Sequence, residues 1–206
     1  MKLAKLFLLI PAFAMVACAN NPVQPSEEDR SFITKEQFDA AFQEGKLFKE
    51  DNVVFKAHFE GEGTATLEAE DGVAKIYGEG DKEEDYIYFY FEEGKGFDIV
   101  KYDGGGWYAT HYSDDRLQEK LVDYAAFLPF EYKDIKRDDE KKAYVMKDTR
   151  MVVGEEDLTI DEAVFKFEDG KPVSVDFDFH FTEKPSDGGT FHQTYTYGNA
   201  HVIPPK

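Results

Sequence analysis

The chain has 206 residues, with 43 Asp and Glu against 24 Lys and Arg, so its formal net charge is −19. This balance argues against nucleic-acid binding, which needs clustered Lys and Arg to neutralise phosphates, and against binding to anionic lipid headgroups through charge. Because the chain has a single cysteine, no internal disulfide bond can form, and a hydrophobic core must hold the fold.

Residues 1–17 have the pattern of a secretory signal peptide. Lys2 and Lys5 precede an apolar run at residues 6–16 that is too short to cross a bilayer comfortably. The run leads into MVAC at residues 15–18, which resembles the lipobox of bacterial lipoproteins. The resemblance implies that Cys18 receives a diacylglycerol and becomes the mature N-terminus. The alternative is a small secreted protein with one free thiol.

The segment after the cysteine is polar and contains proline. Residues 19–30 read ANNPVQPSEEDR, and as a coil they would span roughly 20 Å. Residues 18–33 are therefore predicted to be the lipidated N-terminus and a flexible tether, and residues 34–206 a single domain. The residue after the cysteine is Ala19 and not the aspartate that retains lipoproteins in the cytoplasmic membrane, so the outer membrane is the predicted location in a host with two membranes. In a host with one membrane the predicted location is the outer side of the cytoplasmic membrane.

A short helix is predicted at the start of the domain. Thr34 and Gln37 have the spacing of a capping box, and Ile33 and Phe38 that of a hydrophobic staple. Gly45 is in the position of a helix C′ residue.

Residues 52–112 alternate between apolar and polar side chains with a period of two, which is typical of strands. Short turn signals separate about six runs, and Asp71-Gly72 is the clearest because type I′ turns need positive φ twice. Residues 86–91 are apolar or aromatic on both faces, which predicts a strand covered on both sides. Successive hairpins predict an antiparallel meander.

Residues 113–129 form the one clear amphipathic helix pattern in the middle of the chain. Ser113 is suited to be the N-cap and Pro129 ends the run. The apolar positions on one helical face are Leu117, Leu121, Tyr124 and Leu128. The simplest way to bury this face is to lay the helix across a curved sheet.

The remainder of the chain is again strand-like. Residues 130–148 predict one or two short strands, and residues 163–168 and 173–181 flank an Asp169-Gly170 turn. A loop is predicted at residues 183–189 before a last strand at residues 191–197. The predicted fold is α+β: a mostly antiparallel β half-barrel of about ten strands, with a short N-terminal helix and one central helix packed on the concave face.

Catalytic motifs are lacking. None of the five serines lies in a Gly-x-Ser-x-Gly pattern. Most of the carboxylates fall in turns or on outward strand positions, whereas a general acid needs an apolar pocket that raises its pKa. The sequence predicts a protein that is not an enzyme and has no cofactor.

A metal site is one alternative. If Phe181 faced Phe191 across the last hairpin, His180 would face His192, with Asp178 two residues along on the same face. Two imidazoles and a carboxylate could bind zinc or another divalent ion. The competing interpretation is a solvated acidic face whose histidines pair with carboxylates.

Aromatic residues supply more surface than a core of this size needs, with 19 Phe, 12 Tyr and one Trp. An ordinary β-core would use most of them, and a cavity between the sheet and the central helix would use the rest. The residues predicted to line that space are Phe55, Phe89, Trp107, Leu121, Tyr124, Phe177, Phe179 and Tyr195.

The order of elements is lipobox, tether, capped helix, six-strand meander, helix and closing hairpin, with the end YTYGNAHVIPP at residues 195–205. This order resembles the Lol-type lipoprotein carriers of bacteria and the related mycobacterial lipid-carrier lipoproteins. The resemblance covers roughly residues 35–206. It implies an incomplete barrel wrapped around helices, with acyl chains between them.

The predicted function is that of a membrane-anchored bacterial lipoprotein that binds or carries an apolar ligand. The predicted partners are the membrane, through Cys18, and a lipid. Two alternatives stay open: a non-enzymatic interaction or structural module of the cell envelope without a ligand, and the divalent-metal-binding surface domain at His180 and His192.

Overall fold

A computed structural model describes residues 30–42, 50, 52–92, 95–113, 116, 130–153 and 156–205. The predicted signal peptide, Cys18 and nearly all of the tether lie outside these residues. So do the apolar positions of the predicted central helix, which are Leu117, Leu121, Tyr124 and Leu128.

Within the described residues the chain forms one α-helix and eleven strands. The helix is α1, Lys35–Ala41. The strands are β1 Val53–Phe59, β2 Gly63–Glu70, β3 Val73–Gly78, β4 Ile87–Glu92, β5 Gly96–Tyr102, β6 Trp107–Tyr112, β7 Lys136–Asp138, β8 Ala143–Val153, β9 Glu156–Glu168, β10 Lys171–Phe181 and β11 Lys184–Tyr197. Short 3₁₀ turns lie at Glu83–Asp85 and Tyr132–Asp134.

All eleven strands belong to one antiparallel sheet, in the order β6-β5-β4-β3-β2-β1-β11-β10-β9-β8-β7. The sheet thus consists of a first half, β1–β6, and a second half, β7–β11, each a meander, joined where β1 pairs with β11. The prediction of a mostly antiparallel sheet is confirmed. The strand count is eleven rather than about ten, and the sheet is open, with β6 and β7 as its edges.

Helix α1 begins with the predicted capping box. The Thr34 side chain accepts a hydrogen bond from the Gln37 N–H at 3.2 Å, and the Thr34 N–H donates to Gln37 Oε1 at 2.9 Å. These bonds satisfy two backbone N–H groups that have no partner within the helix. The helix ends at Ala41, ahead of the predicted Gly45, which lies outside the described residues.

The two hairpin turns predicted from Asp-Gly pairs are confirmed. Asp71 and Gly72 have φ of 50° and 79°, and Asp169 and Gly170 have φ of 50° and 78°. Aspartate tolerates this left-handed conformation and glycine adopts it without steric cost, so both pairs form type I′-like turns.

One face of the sheet, on which α1 packs, carries the hydrophobic core; we call it the helix face. In the second half Phe38 of α1 contacts Phe165 and Phe167 of β9. In the first half the buried set includes Val53, Phe55, Leu67, Ala74, Phe89 and Ile99. Tyr195 of β11 packs against both clusters, so the apolar layer is continuous across the joint.

The last hairpin differs from its predicted register. Strand β11 begins at Lys184, so most of the predicted loop at residues 183–189 is strand. Phe191 faces Phe177, whereas Phe181 faces Lys184 across a β-bulge. A PSDGG sequence is typical of a loop, but close packing explains its glycines: a Cβ at Gly188 would lie 2.1 Å from the Phe179 carbonyl oxygen.

The C-terminal tail returns across the face opposite the helix. The Ala200 N–H donates to Asn52 Oδ1 at 2.8 Å, the His201 N–H to Glu68 Oε2 at 3.1 Å, and the Val202 N–H to Glu70 Oε2 at 3.0 Å. Three backbone donors are thereby fixed to side chains of the first half.

In the described part of the chain, no helix has the length and apolar character needed to span a bilayer.

Candidate functional site

Four half-buried phenylalanines lie together on the helix face, at the end of the sheet that holds the β1–β2 and β10–β11 turns. We call Phe59, Phe179, Phe181 and Phe191 the phenylalanine patch. The ring centroids of Phe59 and Phe191 are 4.6 Å apart, and that of Phe179 is 5.8 Å from both Phe181 and Phe191. Phe191 also stacks on buried Phe177 at 5.2 Å. The patch is therefore an extension of the core that reaches solvent.

The four rings can pack together because Gly189, a β11 residue that lies among them, has no side chain. Gly189 pairs with Phe179 across the β10–β11 ladder. A Cβ at Gly189 would lie 2.3 Å from Cε2 of Phe59. The Phe59 ring occupies that space and approaches Phe179 to 6.1 Å between centroids.

We expect Gly189→Ala to destabilise the protein by about 1–3 kcal/mol, the usual cost of overpacking, because the Phe59 ring must move. Chemical denaturation measures the change. Gly104→Ala is an unsuitable control because Gly104 has φ of 88°, whereas Gly106, with open space around its Cβ direction and no positive φ, is suitable. A loss at Gly189 no larger than at Gly106 would contradict the packing explanation.

A track of aromatic and polar side chains follows β11 away from the patch. Phe191, Gln193, Tyr195 and Tyr197 share the helix face, because they face Phe59, Ala57, Phe55 and Val53 of β1. The Tyr195 hydroxyl donates to Gln193 Oε1 at 3.2 Å, and Gln193 is 2% exposed. Burial raises the pKa of the Tyr195 hydroxyl above its ordinary value, so this group stays a neutral donor.

A cavity of about 180 Å³ lies at the other end of this track, between α1 and strands β10 and β11. It is lined by Gln37, Ala40, Ala41, Glu50, Gly170, Lys171, Pro172, Tyr195 and Tyr197. The Lys171 ammonium lies 4.5 Å from the Tyr197 ring centroid, a cation–π contact. Burial, and then the nearby Glu50 carboxylate, raise the pKa of Tyr197 to about 12.

The predicted ligand-lining residues are distributed over three environments. Phe55, Phe89 and Phe177 are closed core residues of the helix face. Phe179 belongs to the phenylalanine patch, and Tyr195 is part of the cavity wall. Leu121 and Tyr124 lie outside the described residues. Thus two of the six described residues border the patch or the cavity, three lie in the closed core, and the sixth, Trp107, lies elsewhere.

Trp107, which was predicted to line the same space, lies on the other face of the sheet from α1. Its cross-strand partner is Tyr102, which points to the face opposite the helix. There the Trp107 ring contacts Tyr88 and Tyr102 edge-on, with both centroid distances 5.5 Å. The turn at residues 103–106 sets this pairing, and a register shift by one residue would have placed Trp107 on the helix face.

Tyr88 and Phe89 are both buried, as predicted for a strand covered on both faces.

Sequence reasoning missed Phe59, Phe181 and Phe191 as members of the candidate site. The period-two pattern had already placed Phe59 and Phe181 on the same faces as Phe55 and Phe177. The pattern did not show that β1 pairs with β11, and this pairing is what brings Phe59 beside Phe191.

The histidines lie on the face opposite the helix, and the predicted metal trio is not brought together. His180 pairs with Asp161 at 3.0 Å, Asp178 accepts from the Thr190 hydroxyl at 2.6 Å, and His192 Nδ1 lies 3.0 Å from Asp176. The reason is the register, which places His192 opposite Asp176. Among the residues that the structure describes, no three His, Cys, Asp or Glu side chains are arranged to hold a metal ion.

His192 is the centre of a small charged cluster. Asp176, and then Glu60 at 3.4 Å from Nε2, raise the pKa of His192 above 6.5. The ring stacks on His58 with 6.2 Å between centroids. Because folding raises the pKa of His192, its contacts with Asp176 and Glu60 stabilise the fold fully below the unfolded-state pKa. This stabilisation is lost as the pH rises through the folded-state pKa.

We therefore expect an NMR titration of His192 to have its midpoint above 6.5, and Asp176→Asn to lower that midpoint. Asp178→Asn, two residues along β10, is the matched control and should leave it nearly unchanged. A wild-type midpoint at or below 6.5 would contradict the role of Asp176.

Comparison of the sequence with protein-family models and with curated proteins found no match in either set.

Proposed function

We propose that this chain binds an apolar ligand, acyl chains being the class that fits, along the helix face of β1, β10 and β11. The phenylalanine patch is the observation that carries the proposal. Isolated exposed apolar side chains are ordinary on protein surfaces, but contiguous apolar patches mark binding sites. Here four half-buried rings are packed together and are continuous with the core.

The track along β11 supports an elongated ligand. From Phe191 to Tyr197 the strand advances six residues, or roughly 20 Å at the usual rise per residue, which is about the length of an extended long-chain acyl group. One end is the patch, and the other is the cavity beside α1, whose wall includes Tyr195. Apolar walls with one or two fixed polar groups are typical of small-molecule sites.

We further propose that the chain acts as a lipoprotein attached to the cell envelope through Cys18, as the lipobox resemblance implies. Mass spectrometry of the mature protein should show a diacylglycerol on Cys18. An unmodified thiol on the mature chain would overturn this part of the proposal and leave ligand binding untouched.

Ligand binding is tested with the full chain expressed in bacteria. Native mass spectrometry and lipid extraction should find copurified lipid, and a fluorescent fatty acid should bind and be displaced by unlabelled fatty acid. Phe179→Gln should weaken probe binding about tenfold, because one buried aromatic contact contributes on the order of 1–2 kcal/mol.

Phe32→Gln is the matched control, because Phe32 is an exposed phenylalanine away from the patch, at 51% exposure. Circular dichroism establishes that both variants are folded. Folded wild-type protein that retains no lipid and binds no probe would overturn the proposal and favour an envelope interaction module. Equal weakening by both variants would place the site elsewhere.

A further inference from the structure

The two edges of the sheet differ in how they are protected against pairing with another strand. Strand β7 has three residues, Lys136, Arg137 and Asp138, all of them charged. Short length and charge are the usual means by which edge strands avoid association. Strand β6 has six residues, WYATHY, without Lys, Arg, Asp or Glu.

Strand β6 is also accessible. Tyr108, Ala109, Thr110 and His111 are all exposed, and Tyr108 retains 45% of its surface. Among the described strands β6 pairs only with β5, so alternate backbone groups point away from the sheet. An edge of this length with β-branched and aromatic residues is suited to accept another strand.

We infer that β6 is a self-association surface, on which a second copy of this chain adds its own β6 in antiparallel orientation. This inference is independent of the proposed ligand binding. Two copies of net charge −19 repel each other, so contact between them is favoured at a surface that carries few charges. Strand β6 has no carboxylate of its own, and Asp98 of the neighbouring strand β5 lies 2.7 Å from His111 Nδ1.

The two-fold symmetry of such a pair limits its register. If the two copies form one continuous sheet, residues that are directly opposite each other across the new pair have side chains on the same side of the sheet. The two-fold axis must then pass between the two copies of one and the same residue. Ala109 is the smallest residue in the strand and allows the closest approach. Tyr108 then faces Thr110 of the second copy on one face, and Trp107 faces His111 of the second copy on the other. Aromatic and β-branched pairs of this kind stabilise antiparallel ladders.

The first test is the oligomeric state of the full chain in detergent, measured by sedimentation and native mass spectrometry over a concentration series. A reversible dimer is expected. Trp107 is the only tryptophan, so its emission should shift to the blue along the same concentration curve as it becomes buried. A chain that remains monomeric throughout would overturn the inference.

The second test places charge on the axis. Ala109→Lys sets two like charges opposite each other and should raise the dimer dissociation constant about tenfold or more. Val152→Lys is the control, since Val152 is 63% exposed on β8, away from this edge. A dimer that resists Ala109→Lys, or that Val152→Lys weakens equally, would show that association uses another surface.

The third test fixes the register. With Cys18→Ser as background, Ala109→Cys has the only thiol, and oxidation should link two copies because Cβ atoms facing each other across an antiparallel pair are within disulfide range. Val152→Cys should not form this link. A linked dimer at position 152 and none at position 109 would overturn the pairing.

Discussion

Replacing Phe38 with alanine should lower the free energy of unfolding by about 3–5 kcal/mol, the range for deleting a buried phenylalanine. Phe38 is 0% exposed and contacts four rings: Phe42 at 4.7 Å, Tyr132 at 5.7 Å, Phe165 at 5.8 Å and Phe167 at 6.1 Å. It is the one fully buried side chain of the seven-residue α1. Because so short a helix is not stable alone, the loss of this ring should also detach α1 from the sheet.

Urea denaturation measures the loss, and Phe32→Ala is the matched control. Phe32 is half exposed, with the Arg137 guanidinium 3.2 Å above its ring, so its removal should cost less than about 1 kcal/mol. Equal losses at the two positions would show that α1 does not depend on Phe38.

Replacing Glu68 with alanine should destabilise the protein by about 3 kcal/mol, because it leaves a largely buried charge without its partner. Lys75 Nζ lies 3.2 Å from Glu68, and each side chain is only 13% exposed. The Tyr77 hydroxyl donates to Glu68 Oε1 at 2.7 Å, and the His201 N–H to Oε2. One carboxylate therefore joins β2, β3 and the C-terminal tail.

Amide hydrogen exchange locates the change: protection of the His201 N–H should be lost together with stability. Glu70→Ala is the matched control, because Glu70 accepts the neighbouring Val202 N–H, and we expect it to cost about 1 kcal/mol. If Glu70→Ala were the more damaging change, the buried ion pair would not be the main contribution.

The pH dependence of this site follows from the Glu68 carboxyl. Burial alone would raise its pKa, but the Tyr77 hydroxyl, the His201 N–H and the Lys75 ammonium together hold the pKa below 4.5. Its stabilisation is therefore present above the unfolded-state pKa and is lost as the pH falls through the folded-state value. The wild-type protein should lose more stability on acidification than Glu68→Ala does.

Local signals in the sequence predicted local structure well. Thr34 with Gln37 predicted the helix start, and Asp71-Gly72 predicted a hairpin, because each signal involves residues that are close along the chain. The alternation in β10 likewise placed Val175 and Phe177 in the core.

Long-range pairing could not be read from the same patterns. A period of two says which side chains share a face, but it does not say which strand lies alongside. Hence the union of β1 with β11, and the patch it creates at Phe59 and Phe191, were not foreseen. The last hairpin turns at residues 182–183 rather than through a loop at residues 183–189, so His192 faces Asp176 and not His180, and the predicted metal trio is not brought together.

The position of β11 in the sheet has a consequence for the order in which the chain can fold. The first six strands can form one ribbon, and β7–β10 another, without pairing between the two. Strand β11, the last of the eleven along the chain, bridges the two ribbons by pairing with β1 and β10. Before it pairs, β1 and β10 each expose an unpaired edge, so this is the stage of folding at which aggregation is most expected.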